Sequence, residues 1–218
     1  MNLKDLYDSE SKELLITAFG NEVPASLSMD PVACAEKLAS FVLDNHLGGV
    51  NIDWKDEHSF IAGTGEQWLI NFMEKLRAEL PDKTIAHTAA PRFFSSSTYD
   101  GYAKVNSEVG HLIDFYNVQY FAKGKTYAEL FTDSNGYSIQ DLVSKGFDLN
   151  KLVIGKNIIS TNPAGTVTSS DLGSWTAQAY ENLGWYAGVS YYQYSDDSDG
   201  SHISSATSEL MNKIPVSD

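Results

Sequence analysis

The chain alternates short apolar runs with amphipathic segments along its 218 residues, and this alternation restricts the possible folds more than any other feature. Apolar and β-branched runs predict strands, and apolar residues spaced three and four apart predict helices. Alternating strands and helices favour parallel pairing, because each helix returns the chain to the start of the next strand. The predicted strands are Leu14–Phe19, Gly48–Lys55, Thr84–Ala89, Leu112–Phe121, Leu152–Gly155 and Ala187–Tyr194. The predicted helices cover residues 3–12, 30–46, 68–80, 102–109, 139–143, 170–183 and 204–214.

Two α/β architectures fit this order of elements, an open doubly wound sheet and a TIM-type (β/α) barrel. No Gly-x-Gly-x-x-Gly motif follows a predicted strand and no Gly-Lys-Ser phosphate loop occurs, so a nucleotide-binding sheet lacks its usual sequence support. The barrel is therefore favoured, with six recognisable βα units. Its site would lie at the carboxyl ends of the strands, which is where Asp53, Lys55, Gln119 and residues 192–197 fall.

The second predicted strand, Gly48–Lys55, carries an unexpected polar face. Its apolar and polar positions alternate, with Val50, Ile52 and Trp54 set against Asn51, Asp53 and Lys55. Successive side chains of a strand point to opposite faces, so the amide, the carboxylate and the ammonium share one face. Such groups need partners or access to water. This face is predicted to mark a functional site, and the alternative is an edge strand whose polar face is solvated.

Charge and composition disfavour several classes of protein. The net charge of −14 disfavours binding to nucleic acid or to an anionic membrane, because both would repel the chain. No apolar run is long enough to span a bilayer, and the first residues lack the basic and apolar regions of a signal peptide. Cys34 is the single cysteine, which excludes an intrachain disulfide and predicts a small buried residue. The length predicts one domain over residues 1–218.

Several segments match the pattern of a known family in the same order. Gly48–Lys55 reads Gly-Gly-Val-Asn-Ile-Asp-Trp-Lys, and the other segments are Trp68–Pro81, Leu112–Phe121, Lys151–Lys156 and Gly188–Gln193. They resemble glycoside hydrolase family 18, the chitinases and chitinase-like proteins, and most of all its fungal branch, whose signature strand reads Asp-Gly-x-Asp-x-Asp-x-Glu. The resemblance implies an eight-stranded barrel whose third strand corresponds to Leu14–Phe19. The first two strands of the family's barrel have no counterpart in this chain. We therefore expect a partner chain, an oligomer or a rearranged sheet to cover the strand edge that is left open.

The resemblance also implies a reaction, and the motif of this chain departs from it. In the family a glutamic acid protonates the leaving oxygen while the acetamido oxygen of the sugar attacks, held by an Asp and a Tyr. Lys55 stands at the position of that glutamic acid. A lysine, with a pKa of about 10.4, is a poor acid, and its charge opposes the cation that develops on the sugar. The other differing positions are Gly48 and Asn51 for two aspartates, Phe121 for the tyrosine and Ala122 for an asparagine.

Asp53 and Gln119 keep their family identity, so we expect a degenerate site in which Asp53 pairs with Lys55. The prediction is a catalytically inactive chitinase-like protein that binds a chitooligosaccharide, an N-glycan or a protein partner. The candidate ligand-binding residues are Asp53, Gln119, Phe121 and Tyr192, the last as a ring on which a sugar stacks. One alternative is an active hydrolase that uses Asp53 or Asp56 as its acid. The other is a structural or storage protein without a ligand.

No cofactor or metal is expected. The histidines form no close-spaced ligand motif, and His87 is expected to be a hydrogen-bonded core residue. The acidic run Asp196–Gly200 lacks the ligand spacing of a calcium loop, which favours a solvated loop. Because members of the resembled family are mostly secreted, an extracellular location is expected.

Overall fold

The computed structural model describes residues 3–20, 22–157, 165–193, 197 and 199–213. Its helices are α1 (Leu3–Ser9), α2 (Pro31–Asp44), α3 (Glu57–Ile61), α4 (Gly65–Glu79), α5 (Tyr102–Val109), α6 (Tyr127–Phe131), α7 (Ile139–Ser144), α8 (Ser169–Leu183) and α9 (Ser201–Met211). Its strands are β1 (Leu15–Phe19), β2 (Gly49–Asp53), β3 (Thr84–Ala89), β4 (Phe115–Gln119), β5 (Leu152–Asn157) and β6 (Val189–Tyr192). The predicted alternation of strands and helices is confirmed.

The described residues group into two compact units, which we take in turn. The first unit lies within Met1–Ala89 and Phe93–Tyr116, and the second within Ala90–Arg92 and Asn117–Asp218. Strand β4 contributes residues to both units. A single domain over residues 1–218 stays a prediction.

In the first unit, β2 pairs in parallel with β1 on one side and with β3 on the other. Asn51 lies level with Thr17 of β1 and with Ala86 of β3. The alternative interpretation of this strand as a solvated edge strand is therefore wrong. Gly49 fits this central position because a Cβ there would lie 1.9 Å from the carbonyl oxygen of Thr84. Any larger residue at that position would push β2 and β3 apart.

The helices of the first unit cover an aromatic core. Asp30 caps α2 by accepting a hydrogen bond from the Ala33 amide, and Pro31 follows at the first helical position, the favoured order for a helix start. Helix α2 packs against α4. The rings of Phe19, Trp54, Phe60, Trp68 and Phe72 contact one another in the core. Cys34 is only partly buried rather than buried as predicted, and burial raises the pKa of its thiol.

Two elements of the first unit differ from the sequence prediction. The loop predicted after β2 contains helix α3, because Asp56 accepts a hydrogen bond from the Ser59 amide and caps a short turn. Strand β4 begins at Phe115 rather than at Leu112, since Gly110–Leu112 forms a 3-10 turn. Asp114 accepts hydrogen bonds from the Ile85 amide and from Arg77. Its side chain therefore ties the start of β4 to β3 and α4.

In the second unit, β5 and β6 pair in parallel with Lys156 level with Tyr191 and Asn157 level with Tyr192. The Tyr120 amide, just after β4, donates to the Gly155 carbonyl of β5. Helices α8 and α9 pack together. The predicted ends of the last strand and last helix, Tyr194 and Ile214, lie outside the described residues.

Candidate functional site

The polar face of β2 has the alternation that the sequence predicts. Val50, Ile52 and Trp54 are fully buried. Asn51 and Asp53, on the opposite face, are partly exposed. Asn51 bridges its neighbouring strands, since its Nδ2 donates to Thr17 Oγ1 at 3.3 Å and its Oδ1 accepts from Thr88 Oγ1 at 2.7 Å. The centre of the motif is therefore a neutral chain of hydrogen bonds.

Asp53 and Lys55 form the predicted ion pair. Lys55 Nζ lies 3.0 Å from Asp53 Oδ2, and the two side chains are 44% and 14% exposed. Lys55 follows the end of the strand and reaches water, so the cation of this pair is half-exposed. The other carboxylate oxygen, Asp53 Oδ1, is buried and has no hydrogen-bond partner within the described part of the chain. One oxygen of Asp53 thus faces a cation while the other remains an open acceptor.

Asp56 occupies a different environment. Its side chain is fully buried, and Oδ2 accepts from the Ser26 amide at 2.8 Å. Oδ1 accepts from Ser26 Oγ and from the Ser59 amide. Both oxygens therefore act as a structural cap that joins helix α3 to the segment around Ser26. This arrangement argues against Asp56 as the substitute acid, because a general acid has to carry a proton and reach the leaving oxygen.

His87 lies on β3, level with Ile52 of the buried face of β2. It is fully buried, with Nδ1 2.8 Å from the Tyr102 hydroxyl and Nε2 3.0 Å from Met73 Sδ. Because a thioether sulfur accepts but never donates, Nε2 carries the proton and Nδ1 accepts from Tyr102. Burial lowers the pKa of His87 to about 3 and raises the pKa of Tyr102 well above its ordinary value. The prediction of a hydrogen-bonded core histidine is confirmed.

The remaining candidates, Gln119, Phe121 and Tyr192, belong to the second unit. Gln119 is the last residue of β4 and is partly buried. The rings of Phe121 and Tyr192 lie 5.9 Å apart at an interplanar angle of 39°, and Tyr192 is 60% exposed. The structure therefore brings Asn51, Asp53 and Lys55 together in one unit, and Phe121 and Tyr192 together in the other.

One residue of the second unit was missed by the sequence reasoning. Lys156 lies on β5 and is buried, with its ammonium hydrogen-bonded to the carbonyl oxygen of Tyr120, directly before Phe121. The available signal was a lysine at the end of the apolar run Leu152–Gly155. A charged residue in such a run is unusual enough to mark a special contact.

The described residues contain no group of three or more His, Cys, Asp or Glu side chains placed to hold a metal ion. In the acidic run, Asp197 accepts from the amides of His202 and Ile203 at the start of α9, whereas Asp196 and Ser198 lie outside the described residues. Among the described helices, none has the length and apolar character needed to cross a membrane.

Comparison with solved structures identifies the fold. The chain is similar to a GH18 chitinase from Pseudoalteromonas aurantia, with a TM-score of 0.81, 24% identity and coverage of 95% of this chain and 78% of the other. A fungal endo-β-N-acetylglucosaminidase of glycosyl hydrolase family 18 gives a TM-score of 0.71 with 17% identity, over 97% and 76% of the two chains. A class V chitinase mutant from Cycas revoluta, in complex with (GlcNAc)3, gives 0.70 with 11% identity, over 95% and 82%.

No family model matches the sequence, and no curated protein matches it. The assignment of the fold therefore rests on structural similarity alone. At sequence identities of 11–24%, that similarity shows the fold and nothing further. The chain has the α/β barrel fold of the glycoside hydrolase family 18 structures, with six strands in its described part where a full (β/α) barrel has eight.

Proposed function

We propose that this chain is a chitinase-like protein that binds N-acetylglucosamine oligosaccharides without hydrolysing them. The observation that carries the proposal is the 3.0 Å ion pair between Lys55 and Asp53, at the position where the resembled family has its proton donor. A positioned general acid contributes roughly 10² to 10⁴ in rate. Its replacement by a paired ammonium removes that contribution.

The charge of Lys55 adds a second penalty. Hydrolysis of a glycosidic bond passes through a cationic sugar. An ammonium about 5 Å from that charge raises the energy of the cationic sugar by about 3 kcal/mol at an effective dielectric constant near 20. This value leaves out the partial neutralisation of the ammonium by Asp53. This estimate corresponds to a further loss of about two orders of magnitude in rate.

Binding of a sugar does not depend on the lost acid. Tyr192 presents a half-exposed ring beside Phe121, and an aromatic ring offers an apolar face to a sugar while its hydroxyl stays in water. The oligosaccharide class follows from the (GlcNAc)3 held by the Cycas revoluta chitinase mutant. Gln119, which lies in the same unit as Tyr192, would supply a polar contact.

The proposal is tested by measuring binding and turnover on the same preparation. Isothermal titration with chitotriose is expected to detect binding, and a fluorogenic chitooligosaccharide is expected to release no product. Tyr192→Ala is expected to weaken binding at least tenfold, whereas Tyr186→Ala, a matched change at another exposed tyrosine, is expected to leave it unchanged. Turnover abolished by Asp53→Ala or Asp56→Ala would favour the active hydrolase, and neither binding nor turnover would favour a structural or storage role.

A partner for the first strand belongs to the same proposal. Strand β1 pairs with β2 on one side, and the described residues place no strand on its other side. Because an unpaired strand edge is a template for further pairing, we expect a second copy or a partner chain there. Light scattering at increasing concentration should reveal a dimer or larger species, and a monomer throughout would contradict self-association. An extracellular location stays a prediction from the family resemblance.

A further inference from the structure

Lys156 is a buried cation whose role neither the fold nor the proposed function explains. It lies on β5 with 1% of its surface exposed. Among the described residues, no carboxylate lies within ion-pair distance of its Nζ. Burial lowers the pKa of Lys156 to about 8, with Glu129 acting in the opposite direction. A chain does not bury an ammonium in this way unless other groups replace its water.

Backbone carbonyl groups replace that water. Nζ donates to the carbonyl oxygens of Gly124 at 2.6 Å and Lys123 at 2.7 Å. The carbonyl oxygens of Tyr120 and Gly165 each lie at 3.2 Å. Three N–H donors thus serve four acceptors from the end of β4, the following turn and the segment before α8. One side chain therefore fixes three separate stretches of backbone.

Two glycines permit this close packing. Gly124 has a φ of +70°, and a Cβ there would lie 2.2 Å from Leu130 Cδ2. A Cβ on Gly165 would lie 2.4 Å from the carbonyl oxygen of Phe121. The backbone around the ammonium leaves no room for side chains at these points, so the carbonyl groups can converge on Nζ.

The contacts of Lys156 flank Phe121, one member of the aromatic pair Phe121–Tyr192. Phe121 directly follows Tyr120 and precedes Lys123 by two residues, so its backbone is held at both ends by carbonyl groups bonded to Lys156. On the other side, Lys156 is level with Tyr191, the neighbour of Tyr192, in the β5–β6 pairing. The ring of Phe121 in turn contacts that of Tyr192.

We propose that Lys156 is a positioning residue that holds Phe121 against Tyr192 and so builds the platform on which the sugar stacks, a role that rests on the proposed function. Lys156 does not itself touch the sugar. Its ammonium acts through the Tyr120–Gly124 backbone. Loss of the charge should therefore loosen this segment and weaken oligosaccharide binding while the rest of the unit stays folded.

The first test uses Lys156→Met, which keeps the aliphatic stem and removes the ammonium. At pH 6.5, hydrogen exchange of the amides of residues 121–125 is expected to accelerate at least tenfold, and chitotriose binding to weaken at least tenfold. The control is Trp185→Phe, which removes the 2.9 Å bond from Trp185 Nε1 to the Leu152 carbonyl on the same strand. This control is expected to leave exchange at 121–125 and chitotriose binding unchanged.

A second test asks whether the charge itself is responsible. In Lys156→Ala, added n-propylammonium is expected to restore slow exchange at 121–125, whereas sodium at the same ionic strength is not. If neither Lys156 variant folds, Gly124→Ala displaces one of the two short acceptors and is expected to produce the same acceleration and the same loss of binding.

Unchanged exchange in Lys156→Met, equal loosening in Trp185→Phe, or no rescue by the amine would overturn the inference. The two proposals fail separately. If the unaltered chain binds no chitotriose, the glycan proposal fails, while the exchange measurements still decide whether Lys156 positions the segment.

Discussion

His87 provides a quantitative prediction about the first unit. The ring is fully buried between the Tyr102 hydroxyl and Met73 Sδ, and burial lowers its pKa from the ordinary value of 6.5 to about 3. As the pH falls, the unfolded chain therefore binds a proton at His87 before the folded chain does. The stability associated with neutral His87 is fully present above pH 6.5 and is lost progressively between pH 6.5 and pH 3.

The size of the effect follows from the same values. One pKa unit corresponds to about 1.36 kcal/mol. Between pH 7 and pH 5, His87 alone is expected to lower the free energy of unfolding by about 2 kcal/mol, because the folded chain remains unprotonated throughout this range. At lower pH, protonation of carboxylates also changes the free energy of unfolding, and that change is common to every variant compared.

The assay is urea denaturation at pH 7 and pH 5 for the unaltered chain, His87→Asn and His58→Gln. The Asn side-chain oxygen can still accept from Tyr102 but takes up no proton, so the loss of about 2 kcal/mol should disappear in this variant even if it is less stable at both pH values. His58 is exposed, so His58→Gln should retain the full loss. An undiminished loss in His87→Asn would refute the reasoning.

Two further variants test the other side chains that follow β2. Lys55→Glu is expected to produce no turnover of a fluorogenic chitooligosaccharide, because Asn51 still stands where the family has an aspartate; measurable turnover would mean that Lys55 alone had inactivated the site. Asp56→Ala is expected to lower the free energy of unfolding by about 3 kcal/mol, since it removes a helix cap and leaves the buried Ser59 amide and the two donors of Ser26 without their acceptor. A shift in the urea midpoint measures this loss, and an unchanged midpoint would exclude the capping role.

The sequence was sufficient for features set by local pattern. The period-two alternation in β2 predicted which residues are buried, and the spacing of Asp53 and Lys55 predicted their ion pair. Helix α3 was missed because a short helix depends on its cap, and the capping carboxylate of Asp56 is held by hydrogen bonds from Ser26, which lies 30 positions away. Such a contact leaves no periodic signal.

The carbonyl cluster around Lys156 was missed for a related reason. Its acceptors come from Tyr120, Lys123, Gly124 and Gly165, and backbone oxygen atoms have no sequence signature. Strand β4 was predicted too long because the apolar run Leu112–Phe121 continues beyond both ends of the strand, Phe115 and Gln119. Side-chain pattern thus predicted the elements, whereas backbone contacts between distant segments decided their ends and the environment of the buried lysine.

The central claim is that a chain with this fold and with Lys55 paired to Asp53 binds N-acetylglucosamine oligomers without cleaving them. The most direct measurement is prolonged incubation of the unaltered chain with chitohexaose, followed by mass spectrometry of the products, with titration calorimetry on the same preparation. The account predicts saturable binding and intact hexamer. Shorter oligomers whose formation is abolished by Asp53→Ala would contradict it.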